Sequence, residues 1–201
     1  DLKNFMTEKG YENKGYNIRL GGVPLVGERF ETLSNTDFGW IVPLMSFVMF
    51  CILGLMFRSI VGMIVPWVII AISVFVFQGI QAGIGFPITV VNQTLTPIAM
   101  LIGMATTVHV LSEFYGLRTA GLDSKEASTR LIENLLKPVF FTSFTTTIGF
   151  SALYVTKLVP VREFAIVAAT IPVIVFVFTM TALPAALSFF SSLPRRTENA
   201  F

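Results

Sequence analysis

One threonine, one histidine and one carboxylate stand at helical spacing in an otherwise apolar stretch: Thr106, His109 and Glu113. Separations of three and four residues place them on one face of a helix. Imidazole is the side chain whose charge changes most readily near neutrality, so a histidine beside a carboxylate is suited to accepting and passing on protons. A second polar run lies further along, again in apolar sequence. There Thr142, Thr145, Thr146 and Gly149 share one helical face, and Ser143, Thr147 and Ser151 form a neighbouring seam. Such rows fit a hydroxyl-lined path for water or protons between two helices. They equally fit plain packing, because small hydroxyl residues let helices approach closely and bond their own backbone four residues back. The plainer reading of His109 is likewise a hydrogen bond to a neighbouring helix, with Glu113 reaching for water. Gly79 and Gly83 make a GxxxG pair, a usual mark of close helix contact, and Gly103 is expected to pack similarly. Gln78, Gln81, Asn92, Gln93 and Thr94 cluster around a break between two apolar stretches, as an interfacial polar rim or a point of substrate access.

The elements that hold these groups are dictated by composition. Of 201 residues, 54% are hydrophobic and only 13% charged, and the mean hydropathy is +0.76. Soluble domains carry roughly 25% charged residues, so this is the sequence of a membrane protein. A net charge of +2 with no basic block gives a nucleic acid no electrostatic footing. Cys51 is the single cysteine and sits in an apolar run, which excludes a disulfide framework, a zinc cluster and a CxxC redox site. No glycine loop of the ATP-binding type occurs. No nucleophile, base and orienter come together, so no enzyme, metal or cofactor is expected.

A membrane helix needs about 20 apolar residues to cross roughly 30 Å. Charge-free windows of that length predict five spans, at about 38–57, 60–83, 88–113, 138–156 and 164–190. The second and third are separated by the break at Gly83-Ile84-Gly85-Phe86-Pro87, and Pro138 is expected to open the fourth, where a missing N–H is harmless. Strand-like alternation is absent, which argues against a β-barrel. Between spans three and four, Asp123 and Glu126 read as a helix start. Ala127, Leu131 and Leu135 then form one apolar face of an amphipathic helix over about 123–136, lying on the membrane surface. Arg58, Arg118, Lys125, Arg130, Lys137, Arg195 and Arg196 fall on one side of these spans, Lys157 and Arg162 on the other. The first group marks the cytoplasmic side. The C-terminal tail, 191–201, is therefore expected inside, and the segment before span one outside.

Residues 1–37 are the soluble-looking part. Leu2, Phe5 and Met6 suit a short helix ended by Gly10, Tyr16 to Leu20 a strand, and Gly21, Gly22 and Pro24 a turn, with Glu28 to Asp37 leading into span one as helix. So short a stretch buries no core alone. With Asp1 rather than Met at its start, the chain reads as a piece of a longer one, these residues being the tail of an extracytoplasmic domain.

An ordered set of residues then carries a resemblance. It comprises Gly22-Val23-Pro24 before span one, Phe57-Arg58-Ser59 after it, Pro66, Gly103, Val108-His109 and Glu113-Phe114-Tyr115. It continues through Ala120-Gly121-Leu122, Ala127, Pro138, Thr142-Ser143, the run from Thr145 to Leu153, and Leu183-Pro184-Ala185. Together these resemble one half of a resistance-nodulation-division (RND) superfamily transporter, nearest its MMPL-like branch, whose membrane core sterol-sensing domains share. The resemblance implies an all-α membrane bundle, the second to sixth helices of a six-helix repeat, preceded by a short α+β remnant of a porter-like domain. It implies a plasma-membrane (bacterial inner-membrane) exporter of hydrophobic or amphiphilic, lipid-like molecules driven by proton motive force. Its partners would be membrane lipids, the substrate, a second six-helix repeat of the same full-length chain and, in some arrangements, further copies of itself. Many relatives carry an acidic residue where this chain has Thr106. Coupling would then reside in the other repeat, or the chain would be a non-transporting lipid-binding or sterol-sensing module.

Overall fold

The computed structural model describes residues 23–85 and 89–189. The expected short helix and strand of the first 20 residues, and the C-terminal tail, lie outside the described residues. Two units, Asp1–Asp37 and Phe38–Phe201, are distinguished by their internal contacts, and the bundle of the second is described here. Every described element is helical: α1 (Val23–Phe57), α2 (Ile60–Ile84), the single turn α3 (Val90–Gln93), α4 (Leu95–Thr119), α5 (Ser124–Ala152), a 3-10 turn (Leu153–Val155) and α6 (Val159–Phe189). Five of these segments are long and apolar enough to cross a membrane, as the charge-free windows predict. Helices satisfy all backbone groups internally, as hydrocarbon demands.

The boundaries differ from expectation in instructive ways. Pro24, expected in a turn, sits in the first turn of α1, where proline's fixed φ suits a helix start. The surface helix over 123–136 and span four are one continuous helix, with Pro138 inside it. A membrane helix tolerates an internal proline; Pro138 withdraws the N–H that would reach the Asn134 carbonyl, and one turn on the Thr142 hydroxyl back-bonds to Pro138 O at 2.9 Å. Span three runs on to Thr119, well past Glu113. Asp123 does occupy the N-cap position of α5, yet its side chain makes no capping bond. It lies instead 3.9 Å from the guanidinium of the buried Arg118, which also donates to Leu122 O at 2.9 Å. Together with Gly121 at φ 98°, a conformation glycine adopts without strain, these bonds fix the turn between α4 and α5.

The turns define two ends. Arg58-Ser59 and Gly121 lie at one, called the Gly121 end; Gly85 and the 3-10 turn lie at the other, the Gly85 end. At the Gly121 end the core is Val110, Leu111, Phe114, Ala127, Leu131, Met180, Leu183 and Leu187, from α4, α5 and α6. At the Gly85 end it is Phe77, Leu95, Ala99, Val167, Ala168 and Ile171. Lipid tails are as apolar as leucine, so close packing rather than transfer from water holds these helices together. Gly62 shows how close: a Cβ there would come within 2.5 Å of Tyr115 Oη and 3.1 Å of Phe57 Cβ. Phe57 and Tyr115 themselves stack at 5.4 Å.

Candidate functional site

The polar face of α4 is positioned by that packing. Thr107, Val110, Leu111 and Phe114 point into the bundle and are fully buried, which turns Ala105, His109, Ser112 and Gly116 outward. His109 is thus exposed, about 15 Å in from the end of its helix at 1.5 Å per residue. Thr106 donates to Ile102 O of its own helix at 2.9 Å. Glu113 is partly buried and accepts a hydrogen bond from Asn134 Nδ2 of α5 at 2.8 Å. That bond is the polar tie between α4 and α5 seen in the structure, where the spacing had pointed to His109 and the threonines.

Those threonines bond their own helix. Thr145 donates to Phe141 O at 2.9 Å, Thr146 to Thr142 O at 2.8 Å, Thr147 to Ser143 O at 2.8 Å and Ser151 to Thr147 O at 2.8 Å. Among the described residues, α5 buries only Ser124, Ala127, Ser128 and Leu131. Its membrane half therefore presents Thr142, Thr145 and Gly149 outward together with Phe141 and Phe144. The structure brings Glu113 to α5 through Asn134, leaves His109, Thr142, Thr145 and Ser151 exposed, and half-buries Ser143, Thr146 and Thr147. Of the glycines, Gly103 does pack: a Cβ there would meet Ile70 side-chain atoms at 3.2 Å. Gly79, Gly83 and Gly149 have nothing within 4 Å of a Cβ, so the GxxxG face of α2 is unpartnered among the described residues.

The amides at the Gly85 end form a site of their own. Gln78, Gln81, Asn92, Gln93 and Thr96 line a cavity of about 260 Å³ together with Phe38 and Val42. It shares Val42, Gln78 and Thr96 with an apolar chamber of about 340 Å³ lined by Met49, Trp67, Ile70, Val74 and Met100. Gln78 Nε2 donates to Thr96 Oγ1 at 3.3 Å where the two meet. Deeper in, Trp67 Nε1 donates to Ser46 Oγ at 3.0 Å. Among the described residues no charged side chain lines either cavity. A greasy chamber with a rim of neutral amides suits an amphiphile with an uncharged, hydrogen-bonding head.

Sequence reasoning missed Asn134, Thr107 and Ser128. Thr107 and Ser128 are buried hydroxyls with no hydrogen-bond partner among the described residues. Ser128 was legible, since it shares the stripe of Ala127 and Leu131; Asn134 gave no sign, because its partner lies on another helix. Among the described residues no group of histidine, cysteine and carboxylate side chains is placed to hold a metal ion.

A family model described as the MMPL family matches residues 5–201. No curated protein and no solved structure matches the chain.

Proposed function

The chain belongs to the MMPL family of RND-type transporters, and from that membership we propose that it forms one membrane half of a secondary transporter exporting lipid-like molecules. In this reading a second six-helix repeat of the full-length protein covers α4, and proton motive force drives the cycle. The observation that carries the reading is the outward stripe of α4, Leu101, Ala105, His109, Ser112 and Gly116. Lipid-facing helix surfaces are large and apolar, whereas small and polar residues mark helix–helix contacts. An intramembrane histidine normally faces a bundle interior or a water-filled path. The basic residues at the Gly121 end, Arg58, Arg118, Lys125, Arg130 and Lys137, support its placement in the cytoplasm.

The test is transport of a fluorescent lipid analogue by the full-length protein in vesicles bearing a pH gradient. Gradient-dependent efflux is expected, with a pH dependence that His109→Ala flattens and Lys157→Gln at the opposite end leaves intact. Efflux indifferent to the gradient, from protein that still binds the analogue, would favour the second reading, a lipid-binding or sterol-sensing module. The amide-rimmed chamber at the Gly85 end supports that alternative.

A further inference from the structure

A groove of about 700 Å³ runs between the first half of α5 and the last turns of α6, away from the polar face of α4 and the amide-rimmed chamber. Its two walls grade in the same direction. On α5 they pass from Lys125 through Ser128 and Thr129 to Ile132 and Leu136; on α6, from Ser188 through Ala185, Pro184 and Thr181 to Met180, Val177 and Phe176. The α5 wall is polar at the Gly121 end and apolar toward the membrane interior, and the α6 wall carries its hydroxyls only in the half nearer the Gly121 end. From Lys125 to Leu136 the rise is about 16 Å at 1.5 Å per residue, enough to take a headgroup and the upper part of a chain.

Two features at the polar mouth select a negative charge. Lys125 is exposed and, among the described residues, no carboxylate lies within ion-pair distance of its ammonium. Among the described residues no carboxylate lines the groove. Asp123 at the N-cap and Glu126 in the first turn are the acidic groups at the start of α5, and neither lines the groove. Ser128 supplies the independent sign of a missing ligand. It is 6% exposed, lines the groove, and its Oγ has no hydrogen-bond partner among the described residues. The neighbouring Thr129 bonds back to Lys125 O at 3.1 Å, the usual resolution for a helical hydroxyl. A buried hydroxyl left unsatisfied is costly unless something accepts its proton.

We propose that this groove binds one anionic phospholipid from the leaflet at the Gly121 end. The headgroup phosphate accepts hydrogen bonds from Lys125 Nζ and Ser128 Oγ, and an acyl chain lies along Ile132, Leu136, Val177 and Phe176. The site goes beyond the transport reading and does not depend on it.

Native mass spectrometry of the full-length protein in detergent tests this, with phosphatidylglycerol, phosphatidylcholine and inorganic phosphate as probes. The wild type is expected to retain one phosphatidylglycerol in preference to phosphatidylcholine. Lys125→Gln should weaken that retention about fivefold, the worth of one basic group at an anionic membrane surface, and Ser128→Ala should weaken it in the same direction. Val177→Trp, at a position exposed in the groove, should block the chain while leaving the charge in place. Lys157→Gln should have no effect. Equal retention of the two lipids would overturn the proposal, as would equal losses in Lys125→Gln and Lys157→Gln. Displacement by inorganic phosphate as effectively as by lipid would assign the mouth to a free anion and overturn the lipid assignment. Retention unchanged by Val177→Trp would overturn the placement of an acyl chain in this groove.

Discussion

The outward faces of α1 and α4 cross the same membrane and are built from opposite materials. On α1 the exposed residues are Trp40, Ile41, Leu44, Phe47, Val48, Ile52, Leu55 and Met56, with Leu55 78% exposed and Phe47 65%. On α4 they are Leu101, Ala105, His109, Ser112 and Gly116, recurring every three or four residues. Hydrocarbon solvates the first set at no cost. The second offers it little side-chain surface and two polar groups, and small residues are what let another helix approach closely. In the proposed reading one face is finished by lipid and the other by protein. Both are apolar enough to pass as membrane spans, so hydropathy alone does not separate them.

Bulk should break this comparison most sharply. In the full-length protein Ala105→Trp is expected to lower gradient-driven efflux by about tenfold or more, since overpacking a close contact costs about 1–3 kcal/mol. Leu44→Trp on α1 should change it less than about twofold, lipid being free to rearrange. A vesicle efflux assay of the two variants, matched for amount inserted, decides the point. Equal tolerance of both would place α4 against lipid.

The same contrast recurs within the bundle at two glycines. Gly62→Ala should destabilise the protein by about 1–3 kcal/mol, because its Cβ would press on Tyr115 and Phe57. Gly79→Ala meets open space and should stay within about 0.5 kcal/mol of the wild type. Unfolding in detergent micelles measures both. A large loss at Gly79 would mean that the GxxxG face is covered in the assembled protein.

The spans were legible because a charge-free window of helical length has few other uses. The α4–α5 connection was misread because an amphipathic stretch and an apolar one can share a helix without a break; Pro138 marks a start in one case and an interior position in the other. The GxxxG of Gly79 and Gly83 states that close approach is possible, and names no partner. His109, Thr106 and Glu113 were found from their spacing, yet only three-dimensional packing shows that Glu113 turns to Asn134 while His109 turns outward. The Glu113–Asn134 bond spans two helices, and neither helix's periodicity encodes it.

That bond sets the smallest effect. Hydrogen bonds between membrane helices are worth on average about 0.6 kcal/mol, so Asn134→Ala should cost about that much in the same unfolding assay. A loss several times larger would show that Glu113 depends on Asn134 for more than a single hydrogen bond.

The most direct measurement is the lipid accessibility of the two faces. Single spin labels at Leu44, Val48 and Leu55 on α1, and at Leu101, Ala105 and Ser112 on α4, are placed in the full-length protein with Cys51→Ser, because Cys51 is exposed. In bilayers, collision with dissolved oxygen, which concentrates in the hydrocarbon, should be frequent at the α1 positions and strongly reduced at the α4 positions. Equally high oxygen collision rates along both helices would contradict the assignment of α4 to a protein contact, and with it the reading of this chain as half of a transporter.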